Sequence, residues 1–519
     1  FFHYPALVIY VLCIPYGLMR LGMGAQGVVD FARSGDRAPH EAFFSYSLPG
    51  HLVIVLFAAL GVIAVRRAAR ALGLSEAAAL AGAACLATAL LWVSDSHLVT
   101  VDVPMAALVA ATAAATLRTV RAAEAPSSRR LVFVGALAGL AAAAKYNGAL
   151  VLAPVVVALA LDALRRRRGL FRALLVPAAS ACVVFLVCNP WVLLDYATFR
   201  KDFDFEVLHA RLGHDGYETT NGFAFHLRES LARGYGWIGL VSAGLGFVVA
   251  LARRRLGAPA KVVLIGFPLL HFSLIGASAL SFQRYMLPML PFLALGTAVL
   301  VDALAGRLSG AASARGRSLV VAGLTLVVAL PNLARALEHD VVSSRPDVRR
   351  EVIAVLRRAG LEREKPVFCG DYGGRCVRSS GLRIDVTLGR LSTELPDART
   401  DVLLFDSFSH DRLIYGQTIT DFVQPYRGYE SWPVLRLSPF TVPREQVPFS
   451  PKSLYTPYPP DLAFRRCAGP FIELYFVRER DADAVEAAAR ELGIAVERTT
   501  GASGFFLPRI AERARALGR

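Results

Sequence analysis

Long apolar segments separated by short polar connectors dominate the first two thirds of the chain. A helix needs roughly 20 apolar residues to cross the hydrocarbon core of a bilayer. By that criterion the pattern predicts about ten crossings, at residues 48–65, 77–93, 103–117, 131–144, 148–164, 170–194, 237–252, 262–278, 286–304 and 319–337. The shorter apolar stretch at 6–18 is predicted to be an amphipathic helix in the outer interface, with a further crossing as the alternative.

Arginine clusters fall in every second connector of this pattern. They occupy residues 66–70, 118–130, 165–168, 253–255 and 307–317, whereas the alternate connectors are short or mixed in charge. Basic residues are enriched in connectors that stay on the cytoplasmic side. The arginine-rich connectors are therefore predicted to be cytoplasmic, and the others are predicted to face outward.

After the last apolar segment, the chain becomes mainly polar. Residues 348–358 and 482–492 have the spacing of amphipathic helices, and 365–369, 402–405 and 472–477 have that of short strands. This pattern predicts two domains, a membrane domain at 1–339 and a C-terminal α+β domain at 340–519. The alternation of connectors places the second domain outside the cytoplasm.

Composition supports a polytopic membrane protein. Hydrophobic residues make up 55% of the 519 positions and charged residues only 19%, with a net charge of +16. Soluble globular proteins average about 25% charged residues, and disordered chains are far less apolar. A basic chain can bind nucleic acid, but here apolar segments separate the basic clusters, so no nucleic-acid partner is predicted.

Ionisable residues at the outward ends of the apolar segments are candidates for function, because a charge in lipid is costly without a partner or a water-filled cavity. Asp102, with His97 before it, stands where one segment re-enters the membrane. Lys145 lies in a very short connector between two apolar segments. Arg284 precedes another apolar segment, on the predicted outward side, where basic residues are few. The alternatives are a helix cap for Asp102, a snorkelling Lys145 and an interfacial anchor at Arg284.

A metal site is a weaker candidate. Glu206 and His209 have the spacing of two ligands on one helical face, and His214 follows. Solvated interfacial histidines are the commoner explanation, so no cofactor is predicted and a divalent metal stays open. The sequence has no phosphate-binding P-loop, dinucleotide motif or serine nucleophile motif, which argues against nucleotide-driven chemistry.

Four motifs resemble those of GT-C membrane glycosyltransferases, in the family that includes protein O-mannosyltransferases and the lipid A aminoarabinose transferases (glycosyltransferase family 39 and its relatives). They are FHYPAL at 2–7, SHLVTVDVP at 96–104, GLAAAAKYNG at 139–148 and RYMLPMLP at 284–291. The resemblance implies an α-helical polytopic GT-C-like bundle. It also implies transfer of a hexose or pentose from a polyprenyl-phosphate sugar to a lipid, glycan or protein acceptor on the extracytoplasmic face.

The resemblance also implies roles for individual residues. Asp102 and His97 would be catalytic residues on the acceptor side, and Lys145, Arg284 and Tyr285 would bind the donor phosphate. The residues expected to line the cavity are His3, Tyr4, Tyr146, Asn147 and His214. The family's usual general base is an acidic residue before the YPPL-like stretch, so it is expected upstream of residue 1.

A polytopic transporter or lipid-sugar flippase is the alternative function, since it too would explain many helices with embedded charges. Transporters usually show internal repeats and ionisable residues near the bilayer midplane, whereas these charges cluster at one rim. The glycosyltransferase is therefore favoured, as a multi-pass protein of a bacterial inner membrane in contact with membrane lipids.

Overall fold

The computed structural model describes residues 5–18, 40–167, 169–212, 221–309, 314–361, 367–369, 384–386, 402–407, 428–447 and 462–516. Two compact units are present, the first mostly Leu48–Gly213 and Thr219–Leu337 and the second mostly Glu338–Arg519. We call them the helical unit and the α/β unit. The predicted domain boundary at 339–340 falls inside a helix that runs to Ser344.

The helical unit confirms the polytopic α-helical fold. Its described residues contain seven helices that are long and apolar enough to cross a membrane, or up to nine if each of two bent pairs is one span. The helices, in chain order, are α1 (Leu7–Leu18), α2 (His40–Ala71), α3 (Glu76–Ala87), α4 (Leu90–Ser96), α5 (Asp102–Val120), α6 (Ser128–Ala144), α7 (Leu152–Arg165), α8 (Leu170–Cys188), α9 (Trp191–Leu194), α10 (Tyr196–Leu212), α11 (Gly222–Phe225), α12 (Trp237–Ala252), α13 (Ala258–Lys261), α14 (Phe267–Gly276), α15 (Leu290–Leu308) and α16 (Ala314–Ser344).

Two predicted crossings differ from single straight helices. The segment predicted at 77–93 is divided into α3 and α4, which are bent by 58°. At the bend the Thr88 hydroxyl donates to the carbonyl of Ala84, 2.9 Å away, and such back-bonding distorts helices. The helical stretch Gly222–Ala232 meets α12 at 108°, where Gly236 adopts a φ of +78° that favours glycine.

Small residues allow close packing between helices of this unit. A Cβ added at Gly246 of α12 would fall on the carbonyl oxygen of Gly296 in α15, and one added at Gly135 of α6 would fall on Pro177 of α8. Helices in lipid associate through van der Waals contact rather than through the hydrophobic effect, so small residues at their contacts stabilise the bundle. The glycine- and alanine-rich composition of these segments therefore has a packing role.

Asp302, a buried carboxylate near the end of α15, connects three of the segments on the arginine-rich side. It accepts hydrogen bonds from the Ser75 hydroxyl at 2.9 Å and from Arg317 at 3.0 Å, and it pairs with Arg253 at 3.4 Å. These partners come from the start of α3, the segment after α12 and the start of α16. The ion pairs therefore fix the relative positions of these helix ends.

In its described residues, the α/β unit contains a six-stranded mixed sheet. Its strands are β1 (Val367–Cys369), β2 (Ile384–Val386), β3 (Val402–Asp406), β4 (Pro433–Leu437), β5 (Ile472–Phe476) and β6 (Glu497–Thr500), in the spatial order β2-β1-β3-β5-β4-β6. The β1–β2 and β1–β3 pairs are parallel, and the other pairs are antiparallel. The helices of this unit are α17 (Val348–Arg358), α18 (Glu479–Glu491) and α19 (Phe506–Ala516).

A buried carboxylate organises one end of this sheet. Glu473 of β5 is fully buried and pairs with Arg436 of β4 at 2.9 Å. It also accepts hydrogen bonds from the Tyr475 hydroxyl at 2.6 Å and from the backbone amides of Phe505 and Phe506 at 2.7 and 3.1 Å. Burial, followed by the charge of Glu473, raises the pKa of Tyr475 well above its usual value. The network thereby joins the sheet to the start of α19.

Candidate active site

Three charged residues that are far apart in the sequence meet at helix ends of the helical unit. The Lys145 ammonium lies 2.6 Å from Oδ1 of Asp102, and Nε of Arg284 lies 3.8 Å from Oδ2. Asp102 is in the first turn of α5, Lys145 directly follows α6, and Arg284 belongs to a short 3₁₀ helix, Gln283–Met289, before α15. The positive end of the α5 dipole further favours a carboxylate at position 102.

Exposure within this cluster increases from the carboxylate to the cations. The side chain of Asp102 is 4% exposed, that of Lys145 is 12% exposed and that of Arg284 is 23% exposed. An anion that approaches from the open side would therefore meet the ammonium and the guanidinium before the carboxylate. The opposite charge of Asp102 holds each cation in place, so the two positive groups are positioned before any ligand binds.

Aromatic rings restrict both cations. Lys145 Nζ lies 4.5 Å from the centre of the Tyr285 ring, and the Arg284 guanidinium lies 4.5 Å from the centre of the Phe282 ring. Cation–π contacts of this kind stabilise a positive group over a ring face. The predicted group of Lys145, Arg284 and Tyr285 is thus brought together.

The backbone around Lys145 explains why a charged residue can occupy this place. Lys145 is extended, with φ −157° and ψ 137°, and so ends α6. The amide of Gly148 then donates to the Lys145 carbonyl at 2.8 Å, and a Cβ at Gly148 would fall on the carbonyl oxygen of Ala141. The glycine therefore permits a tight turn. Within it, the Asn147 Oδ1 is buried and has no hydrogen-bond partner among the described residues.

Asp95 belongs to the cluster and was missed in the sequence. It is 5% exposed, in α4, and it interacts electrostatically with Asp102, Lys145 and Arg284. The available signal was a second acidic residue in the polar stretch SDSH at 94–97, directly after an apolar run. The cluster therefore contains two carboxylates and two cations.

The helix α10 lies beside the Lys145 turn. Its Phe199 and Phe203 contact the Tyr146 ring, with centroid distances of 6.3 and 5.5 Å. Glu206 is near enough to interact electrostatically with Lys145 and Tyr146. At the other end of the helix, the Ala210 carbonyl accepts a 2.8 Å hydrogen bond from the Ser278 hydroxyl. The sequence of this segment indicates only a weak metal site, at Glu206 and His209.

His271 was also missed because it lies within an apolar run. It is fully buried in α14, and its Nε2 donates to the Tyr285 carbonyl at 2.8 Å. The contact fixes the backbone next to Arg284, so His271 positions the segment that carries this cation.

The other predicted site residues lie partly inside and partly outside the described residues. His97 is exposed at the C-terminal end of α4. His3, Tyr4 and His214 lie outside the described residues, as does the side chain of His209, so their predicted roles and the metal alternative stay predictions. Near the start of the described chain, the Ala6 amide donates to Asn189 Oδ1 at 2.6 Å, which links the FHYPAL stretch to the C-terminal end of α8.

Comparisons with known proteins agree with this architecture. Residues 43–193 match the family model for dolichyl-phosphate-mannose-protein mannosyltransferase. The apo structure of ArnT from Cupriavidus metallidurans has 17% identity and a TM-score of 0.50, with coverage of 74% of this chain and 75% of that one. ArnT bound to undecaprenyl phosphate has 19% identity and a TM-score of 0.50, with coverage of 74% and 76%.

A second group of similar structures is archaeal. The apo oligosaccharyltransferase of Archaeoglobus fulgidus has a TM-score of 0.52 and 11% identity, with coverage of 84% of this chain and 65% of that one. No curated protein matches the chain significantly.

The fold and the matched region together define the class that this chain resembles. The helical unit has the GT-C fold of membrane glycosyltransferases, and residues 43–193 match a mannosyltransferase family model. The resemblance predicted from four short motifs is thereby confirmed. The alternative of a transporter or flippase is not favoured, because the matched family model is that of a mannosyltransferase.

Proposed function

We propose that this protein transfers a sugar from a polyprenyl-phosphate donor to an acceptor hydroxyl or amine at the extracytoplasmic membrane surface. The observation that carries the proposal is the pair of cations, Lys145 and Arg284, held by the buried Asp102 at helix ends. Their exposure toward one side suits a phosphate whose isoprenoid tail stays in the bilayer. The bound undecaprenyl phosphate of the similar ArnT structure supports the same donor class.

In the proposed reaction the acceptor attacks the anomeric carbon as the bond to the phosphate oxygen breaks. The electron pair of that bond leaves with the polyprenyl phosphate, and a general base takes the acceptor proton. Lys145 and Arg284 stabilise the charge that grows on the leaving phosphate, which is the type of preorganised stabilisation that lowers transfer barriers most.

Asp102 is assigned a positioning role in this scheme. Each of its oxygens faces a cation, whereas a base needs a free oxygen toward the acceptor. This assignment revises the predicted catalytic role of Asp102. His97, exposed at the end of α4, is retained as a residue of the acceptor side, and Tyr146 and Asn147 as residues that line the site.

The finer features of the proposal come from the sequence. The sugar is a hexose or pentose, and the acceptor is a lipid, glycan or protein. The protein is assigned to a bacterial inner membrane, with its arginine-rich connectors in the cytoplasm and its α/β unit outside.

Donor binding is the sharpest test, because it needs no knowledge of the acceptor. Undecaprenyl phosphate would be titrated against the purified full chain in detergent, with Lys145→Ala and Arg284→Ala as variants. Loss of one charge-assisted contact should weaken binding between about tenfold and hundredfold. The matched controls are Lys201→Ala and Arg211→Ala, which remove exposed cations of α10 and should bind as the parent does.

The comparison of variants with controls distinguishes a specific phosphate site from a general attraction of the phosphate to any nearby cation. Equal weakening in the α10 controls would show that any cation near the membrane contributes, and the proposed phosphate site would be wrong. Unchanged binding in both Lys145→Ala and Arg284→Ala would contradict the proposal directly.

A further inference from the structure

A second cation cluster surrounds a large cavity in the helical unit, on the arginine-rich side. The cavity has a volume of about 1110 Å³ and lies between α2, α5 and α6. Ordinary small-molecule pockets enclose roughly 300–1,000 Å³, so this one has room for a larger ligand. None of its lining residues belongs to the site around Asp102.

The inner part of the cavity is apolar. Leu60 and Ile63 of α2 and Phe133 of α6 contribute long side chains that are 53%, 44% and 59% exposed. Ala111 and Ala115 of the more buried helix α5 contribute small side chains between them. Exposed large apolar side chains beside small ones form a groove that suits hydrocarbon chains.

The mouth of the cavity is strongly basic. Arg67, Arg118, Arg129 and Arg130 line it, are exposed, and have no ion-pair partner in the described part of the chain. Two further arginines, Arg66 and Arg70, pair with Glu76 at the same mouth, and Arg70 does so at 3.2 Å. One carboxylate therefore faces six guanidinium groups.

Topology alone accounts for basic residues in these connectors, but not for this convergence. The unpaired arginines come from the ends of three helices, α2, α5 and α6, and line one cavity with an apolar floor. Basic pockets between membrane helices are the sites that bind anionic lipid head groups. Guanidinium groups also bind phosphate through two parallel hydrogen bonds.

From this arrangement we infer that the cavity is a binding site for an anionic glycerophospholipid. The phosphate head group lies among Arg67, Arg118, Arg129 and Arg130, and an acyl chain follows the groove past Phe133. The site lies on the opposite connector set from the one that carries Lys145 and Arg284, so it is separate from the proposed donor site.

The test titrates dioleoyl phosphatidylglycerol and dioleoyl phosphatidylcholine against the full chain in detergent, with bound lipid counted by native mass spectrometry. Arg118→Gln/Arg129→Gln removes two cations from the mouth. Each basic side chain near an anionic lipid contributes about a fivefold factor, so phosphatidylglycerol should bind roughly thirtyfold more weakly. The control Arg254→Gln/Arg255→Gln removes two exposed arginines outside the cavity and should bind as the parent does.

A variant that is expected to raise phosphatidylglycerol affinity keeps the test decisive if the double variant fails to fold. Glu76→Gln removes the carboxylate that holds Arg66 and Arg70, so it should strengthen phosphatidylglycerol binding several-fold. Equal binding of the two lipids by the parent, equal loss in both arginine double variants, or weaker binding by Glu76→Gln would each overturn the inference. Stoichiometric displacement of phosphatidylglycerol by undecaprenyl phosphate would overturn it in favour of an isoprenoid ligand.

Discussion

Replacement of Asp102 by asparagine isolates the electrostatic basis of the candidate site. The substitution keeps the shape of the side chain and removes the charge that faces Lys145 at 2.6 Å and Arg284 at 3.8 Å. Lys145 is 12% exposed at its side chain, so its ammonium would lose its nearest counter-charge while it remains mostly desolvated. We expect a clear loss of stability.

The magnitude follows from the burial of the pair. Removal of one partner from a buried ion pair costs about 3–5 kcal/mol. Partial exposure of Arg284 and its longer distance place the expected loss at the lower end, about 3 kcal/mol. The double variant Asp102→Asn/Lys145→Met removes both charges of the close pair and should recover about 2 kcal/mol of the summed single losses.

The assay is the free energy of unfolding of the purified full chain in mixed micelles titrated with sodium dodecyl sulfate. A matched control is Asp204→Asn, since Asp204 and Arg200 form an exposed ion pair on α10 with side chains 57% and 62% exposed. This control should leave stability unchanged within error, because exposed pairs contribute little. Additive losses in the double variant, or a loss for Asp102→Asn no larger than for the control, would refute the reasoning.

Three further predictions concern packing and burial. Glu473→Gln should lower the stability of the α/β unit by about 3 kcal/mol, measured by urea unfolding of the full chain followed by tryptophan fluorescence; no loss would show that the buried carboxylate is dispensable. Burial raises the pKa of the Cys467 thiol, so iodoacetamide should modify Cys467 fast only on unfolding, as followed by peptide mass spectrometry; rapid labelling of Cys467 in the folded protein would contradict this. Gly246→Ala should reduce the thermal stability of the helical unit, because the new Cβ meets the Gly296 carbonyl, whereas Gly244→Ala, with open space around the Cβ, should not; equal midpoints for the two would refute the packing account.

The sequence was most informative where a local signal had a direct physical cause. The helix predicted at 348–358 coincides with α17, because Asp347 caps its start and Gly360, at φ +73°, follows its end. By contrast, β4 begins with Pro433 and is almost wholly buried between β5 and β6. It therefore lacks the alternation that marks a half-exposed strand, and it was missed.

The candidate site also has features with a local sequence signal and features without one. Asp102, Lys145 and Arg284 attract notice because a charge at the end of an apolar segment is expensive. Their mutual distances could not be derived, since they depend on how helices separated by 43 and 139 residues pack against one another. Asp95 and His271 were not predicted as site residues, because Asp95 directly follows an apolar run and His271 lies within one, and a membrane-spanning helix already explained each run.

The central claim is that Lys145 and Arg284 hold the phosphate of a lipid-linked donor. Its most direct test is a structure of the full chain in lipid nanodiscs with undecaprenyl phosphate, determined by electron cryo-microscopy. The account predicts phosphate oxygens at hydrogen-bond distance, about 2.7–3.2 Å, from the Lys145 ammonium and the Arg284 guanidinium. A phosphate bound elsewhere, with these two cations still paired to Asp102, would contradict it.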